Sequence, residues 1–211
     1  MLRSAIALAD EGGIDALSMR KLAKELGVEA MSLYNHVANK GDLVEGMVDA
    51  VVNEIDLPST PEWEQDVRTC AISAYETFLR HSWACYLVMA PAPPDGRIRL
   101  EGNPRLQYME WLLGRLRDAG FSDELTYRGY HALDSHILGF TMWHVGHSAG
   151  SQGLTDEGKA FLATIVPRLQ AAGLPHLAEH AEHHLDTPWT NAVSEFEFGL
   201  DLILDGLKKA L

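Results

Sequence analysis

The sequence SMRKLAKELGVEAMSLYNHVANKGDLV (Ser18–Val44) sets two short apolar-spaced segments on either side of one glycine. Leu22, Ala23 and Leu26 recur at helical spacing, Ser18 is a natural N-cap ahead of them, and Gly27 is a natural stop. Counting Met19 as the first position, Ala23 falls fifth, Gly27 ninth and Leu33 fifteenth. A small fifth residue lets a second helix approach the first, and a glycine at the ninth takes the tight turn between them. The spacing predicts a second short helix over 30–37, with Leu22, Leu26, Val28, Leu33 and Val37 forming a small core. Helices this short do not persist alone. They need the helix predicted at 2–12, with Leu2, Ala5, Ile6 and Ala9 on one stripe and Gly12-Gly13 at its end. Leu33 and Val37 then face inward, and Ala30, Met31, Ser32, Tyr34, Asn35 and His36 are left to face a groove. Ser32, Asn35 and His36 suit base edges or phosphates, and Ala30 and Met31 suit thymine methyls. Tyr34 and Lys40 suit phosphates, which position a reader without specifying sequence.

Charge at first opposes a nucleic-acid partner. The 211 residues carry 17 bases and 30 acids, a formal net charge of −13, and DNA repels a net anion at long range. The charge is segregated, however. Within 18–40, Arg20, Lys21, Lys24 and Lys40 outweigh Glu25 and Glu29. The acids lie mainly elsewhere.

Outward from this window, strand-like alternation is weak and helical spacing recurs, so the chain reads as all-α with nine or ten helices. A helix is predicted from Gly41 to about Ile55. Pro58-Ser59-Thr60-Pro61 marks a boundary between a helix-turn-helix domain with connecting helix (1–57) and a second domain (58–211). Thr60-Pro61 reads as cap and first helical residue of a helix running to about Trp83. Ala90–Pro104, with Pro91, Pro93, Pro94 and Gly96, reads as a loop. Further helices are predicted at 104–118, 123–147, 155–172 and 190–210, that at 123 capped by Ser122 with Asp123 and Glu124 in its first turn. No apolar run reaches the roughly 18 residues that span a bilayer, and Met1-Leu2-Arg3 opens no signal peptide. Two cysteines, Cys70 and Cys85, fit a reduced cytoplasmic protein.

Ser18–Val44 strongly resembles the DNA-binding segment of the TetR family of bacterial transcriptional repressors, matching its pattern at Leu26, Gly27, Val28, Leu33, Tyr34, His36, Val37 and Lys40. EFEFGLDLILDGL (Glu195–Leu207) resembles the end of the tetracycline-repressor-like C-terminal domain. The resemblance covers the first 55 residues well and the last 20 moderately. It implies a homodimeric, ligand-responsive regulator without enzymatic activity. Ala30–Val37 would lie in the major groove of operator DNA, and Arg20, Tyr34, His36 and Lys40 would touch that DNA. Two departures weaken the expected affinity. Glu29 stands where serine or threonine is common, suiting the helix dipole but not a phosphate. No basic arm precedes the first helix in these residues.

The C-terminal part offers dimer faces and a pocket. Leu125, Leu133, Ile137, Leu138, Phe140 and Met142 ring much of the 123–147 helix, which predicts burial on two sides. Val193, Phe196, Leu200, Ile203 and Leu207 stripe the last helix, Phe198, Leu202 and Leu204 mark other faces, and Gly199 permits close approach. The resemblance implies that these two helices form the dimer interface. Aromatic, methionine and histidine residues gather between Phe78 and Trp143, as a small-molecule pocket would need, although ordinary core looks the same. Phe78, His81, Tyr86, Met109, Tyr130, His131 and Asp134 are the pocket candidates. His180, His183 and His184, and separately His144 and His147, have metal-ligand spacing on a helix. The His-Glu-x-x-His and Glu-x-x-His templates are absent, so no cofactor or metal is expected. Two other classes remain at this stage: a metal-dependent helical-bundle enzyme, and an interaction protein that uses the fold without reading DNA.

Overall fold

Eleven α-helices and one 3₁₀ turn make up the regular structure of the described residues of the computed structural model, which are 1–89, 100–147, 156–186 and 192–211, and none of them forms a strand. In order these are α1 (Leu2–Gly12), α2 (Met19–Leu26), α3 (Ala30–Leu33), α4 (Lys40–Val52), α5 (Trp63–Arg80), α6 (Ser82–Val88), α7 (Pro104–Asp118), α8 (Asp123–His147), α9 (Asp156–Ala171), α10 (Pro175–Asp186) and α11 (Ala192–Ala210). The 3₁₀ turn, Ile14–Ala16, joins α1 to α2. The chain divides into two compact units, Met1–Met142 with Leu200–Leu211, and Trp143–Gly199. No helix among the described residues is long and apolar enough to cross a membrane.

In the first unit, α1 buries Ala5, Leu8 and Ala9, α2 buries Leu22 and Ala23, and α3 buries Leu33. Each large apolar side chain so buried stabilises the packing by roughly 1.5–3 kcal/mol. The helix α4 packs on α1, α5, α6 and α7. Its cap is Asn39, whose Oδ1 accepts the Asp42 N–H at 3.1 Å, while Asp42 accepts the Ala38 N–H in return. A Cβ at Gly41 would stand 2.8 Å from that Asn39 oxygen, so the glycine leaves room for the cap.

Thr60-Pro61 does not open α5, which begins at Trp63. The Thr60 amide and hydroxyl instead donate to the two carboxylate oxygens of buried Asp66, each at 2.8 Å, and Arg115 of α7 pairs with the same carboxylate at 2.7 Å. Burial works to raise the Asp66 pKa, but the Thr60 bonds and the Arg115 charge outweigh it and hold the carboxyl below its ordinary value. Arg115 also donates to the Thr60 carbonyl, and the Trp111 indole donates to the Pro58 carbonyl at 3.0 Å. The segment between α4 and α5 is thereby strapped to α7.

The helix expected to run unbroken to Trp83 ends at Arg80, and α6 starts at Ser82. The break sits at His81, whose Nδ1 lies 2.8 Å from Asp10 of α1 and whose Nε2 lies 3.4 Å from Glu54. The Trp83 indole donates to the same Asp10 oxygen at 2.7 Å. These bonds turn the chain toward α1.

The Ser122 cap is present, its Oγ accepting the Leu125 N–H at 3.3 Å. Along α11, Phe196, Leu200, Leu204 and Leu207 are buried, whereas Phe198 and Leu202 are exposed. Leu204 thus joins the core stripe rather than another face, and Ile203 is only half-buried. In the second unit, α9 and α10 pair around Val166, Ala178 and Ala181, with Leu162 and Leu169 against them. The helix α10 was not expected, yet Gly173 with φ 74° and Pro175 at its first position punctuate the sequence there. Of the segment expected as a loop, Ala90–Pro104, residues 90–99 lie outside the described residues, as do the side chains of His147, His184 and Val193.

Candidate functional site

The head formed by α1, α2 and α3 is built on backbone geometry. Ser18 accepts the Lys21 N–H at 3.2 Å, and Gly27 takes φ 66°, ψ 31°, the left-handed conformation its position in the turn requires. The Gly27 and Val28 amides donate to the Lys24 and Ala23 carbonyls at 3.2 and 3.0 Å, closing α2 in a Schellman arrangement. Val28 is consequently carried to the surface, 45% exposed, rather than into the core expected from its apolar character.

The reading segment is shorter than the predicted 30–37 helix. Regular α-helix ends at Leu33, and Tyr34, Asn35 and His36 follow in turns whose amides bond three residues back at 3.2, 3.3 and 3.0 Å. Glu29 is its N-cap and makes no side-chain cap bond; Ser32 Oγ donates to the Glu29 carbonyl instead, at 2.7 Å. Met31, Tyr34, Asn35 and His36 are exposed, Ala30 and Ser32 half-buried, and Leu33 is buried. Met31, at 74% exposure, and Tyr34 are large apolar surfaces that the fold leaves uncovered. Arg20 stands exposed on α2, and Lys40 opens α4.

A second feature lies in the same unit. A cavity of about 210 Å³ is lined by Val52, Ile55, Phe78, Val88, Met89, Arg105, Leu106, Tyr108, Met109, Tyr130, Asp134 and Leu138. Of the pocket candidates, it brings together Phe78, Met109, Tyr130 and Asp134. His81 lies in the Asp10–Glu54 cluster, Tyr86 is exposed, and His131 is exposed beside Tyr130, with ring centroids 5.3 Å apart. None of those three lines the cavity.

The cavity's polar groups are few. The Tyr108 hydroxyl donates to Asp134 at 3.4 Å. Burial raises the Asp134 pKa, with the Tyr108 bond and His131 opposing. Burial raises Tyr108 and Tyr130 as well, with the Asp134 charge adding to both. Arg105 points its Nε toward Asp49 of α4 at 3.7 Å, an ion pair too long for a hydrogen bond, and this buried Nε has no hydrogen-bond partner. Spacing singled out neither Arg105 nor Tyr108. Arg105 did leave one trace, since a cation in the first turn of a helix opposes the helix dipole.

No group of three or more metal-ligating side chains occurs among the described residues. Cys70 and Cys85 are buried and free, and burial pushes the Cys85 thiol to about 11.

Two family models match the chain: bacterial regulatory proteins, tetR family, over residues 1–47, and the tetracyclin repressor-like C-terminal domain over 57–211. The HTH-type transcriptional repressor DrrR1 of Streptomyces coeruleorubidus is 28% identical across 99% of this chain and 76% of its own length. The class A tetracycline repressor protein from transposon 1721, of Escherichia coli, is 30% identical across 99% of this chain and 89% of its own. Among solved structures, the Streptomyces coelicolor TetR family protein ActR in complex with (S)-DNPA superposes with a TM-score of 0.72 at 26% identity, covering 100% of this chain and 96% of ActR. The chain belongs to the TetR family, whose members are ligand-responsive, DNA-binding transcriptional repressors and not enzymes.

Proposed function

We propose that this chain acts as a cytoplasmic homodimer that holds a palindromic operator and releases it when a small molecule enters the α4–α8 cavity. The division of labour falls near residue 57. Ala30, Met31, Ser32, Asn35 and His36 meet base edges, and Arg20, Tyr34 and Lys40 meet phosphates. One observation carries this reading: α4 serves both features. Lys40 starts the helix beside the reading segment, and Val52 at its end, with Ile55 three residues on, lines the cavity. A ligand that displaces the cavity wall therefore acts on the helix that packs against α1.

The dimer reading is supported by α11, where Phe198 and Leu202, one turn apart, are each more than 60% exposed. Such paired apolar exposure favours a partner surface. Dimeric readers place their heads about one helical turn, roughly 34–36 Å, apart. Small displacements then cost much of the affinity. The relatives named above include a tetracycline repressor protein and a protein crystallised with (S)-DNPA, which supports an organic effector here.

The test is a gel shift on a palindromic duplex from upstream of the protein's own gene, with sedimentation to fix stoichiometry. One dimer per palindrome is expected. Phe198→Glu with Leu202→Glu should sediment as a folded monomer and lose the shift. A persistent dimer in that variant would contradict the interface, and failure of the wild type to bind duplex at low salt would contradict DNA reading.

A further inference from the structure

We propose that the cavity takes a small, largely apolar monoanion whose carboxylate or phenolate oxygen accepts the Arg105 Nε–H and draws that guanidinium away from Asp49 of α4. The proposal rests on the reading of this cavity as the effector site. Its walls are apolar over Val52, Ile55, Phe78, Leu106 and Leu138, so the frame of the ligand is apolar too. The charge follows from Arg105. Its Nε is buried and has no hydrogen-bond partner, and Asp49 approaches only to 3.7 Å. That Nε is closed in where it stands, so a ligand oxygen reaches it only as the guanidinium swings off Asp49 into the cavity, and the bond then relieves the cost of an unsatisfied buried donor. An anion forms the stronger, charge-assisted bond.

A single negative charge fits better than two. Asp134 also stands on the lining, and its carboxyl repels a second anion while accepting a ligand hydroxyl beside Tyr108. The consequence for DNA is direct. Asp49 lies on α4, the helix that packs against α1. Ligand and Asp49 compete for one guanidinium, so occupancy weakens an α4–α7 tie that the ligand-free state retains.

The experiment uses the full chain, with 2-naphthoate and its neutral isostere 2-naphthamide as probes, and calorimetry as readout. The carboxylate is expected to bind roughly tenfold or more tightly than the amide. Arg105→Gln should erase that preference, with circular dichroism confirming its helical fold. Asp49→Asn removes the competitor and should tighten naphthoate several-fold while leaving the amide unchanged. Equal binding of the two probes by the wild type, or binding of neither at millimolar concentration, overturns the proposal. Naphthoate affinity that is unchanged or lower in Asp49→Asn overturns the competition. All three readouts measure ligand binding alone, so a protein that failed to bind operator would fail the gel shift without altering them.

Discussion

The reading head and the body around the cavity solve opposite problems. In the head, α2 and α3 are short, the buried set is small, and most of the side chains proposed for DNA, all but Ala30 and Ser32, stand exposed to solvent. In the body, long helices bury their chemistry: Asp66 with Arg115 under the strap, and Asp134 with Tyr108 beside the cavity. Function and stability are therefore separable in the head and entangled in the body. Substitutions in the two regions should report different quantities, and that contrast can be broken by measurement.

The largest effect is expected in the body. Asp66→Asn leaves the half-buried Arg115 guanidinium without its counter-charge, weakens the Thr60 bonds, and should cost about 3 kcal/mol in urea unfolding. The folded-state pKa of Asp66 is depressed, so its contribution is present above the unfolded value, near 4, and is lost as pH falls through the folded value. Acidification below about pH 4 should then destabilise the wild type and narrow its gap to Asp66→Asn. A gap that stays constant on acidification would remove Asp66 from the ledger of charged anchors.

Tyr34→Ala with Lys40→Ala should lose at least about 100-fold in operator affinity, some 2.7 kcal/mol. Because both side chains are exposed, the melting temperature should hardly move. Full affinity in this double variant would withdraw the proposed DNA face. Gly27→Ala tests a turn at which the head depends on backbone conformation. At φ 66° an alanine should cost about 1–2 kcal/mol and reduce operator affinity with it. The smallest effect is in salt dependence. If Arg20 and Lys40 of both subunits are the phosphate-neutralising cations, the slope of log affinity against log salt should be about −3.6, about −0.9 for each of four charges. A much steeper slope would mean that further bases touch DNA.

The same contrast governs what could be read from sequence. The head was legible because Ser18, Ala23, Gly27 and Leu33 are dictated by steric rules that act over a few residues. Its exposed polar side chains then had nowhere else to point. The exceptions were local. A Schellman closure turned Val28 outward, and three-residue bonds shortened the reading helix after Leu33. The body was legible in helix positions, as Pro104 after Asn103 and Asp123 after Ser122 show. It was less so in site composition. Phe78, Met109, Tyr130 and Asp134 came from a cluster of residue types. Val52, Ile55 and Leu138 look like any core residue until the fold leaves a void among them. His81 has the residue type of a polar pocket group, but its partners, Asp10 and Glu54, lie 71 and 27 positions earlier, and that distance hides the pairing from any local pattern.

The double duty of α4 also constrains how such a protein can change. A substitution at Val52, or at Ile55 just past the end of α4, that admits a different effector also disturbs the seating of a helix that positions the head. Variants selected for a new inducer at these two sites should therefore often be constitutively released or permanently bound. Phe78, Met109 and Leu138 sit on other helices and can vary with less effect on the unliganded set-point. Diversification libraries aimed at new specificities should spare the α4 end and spend their variation on the opposite walls.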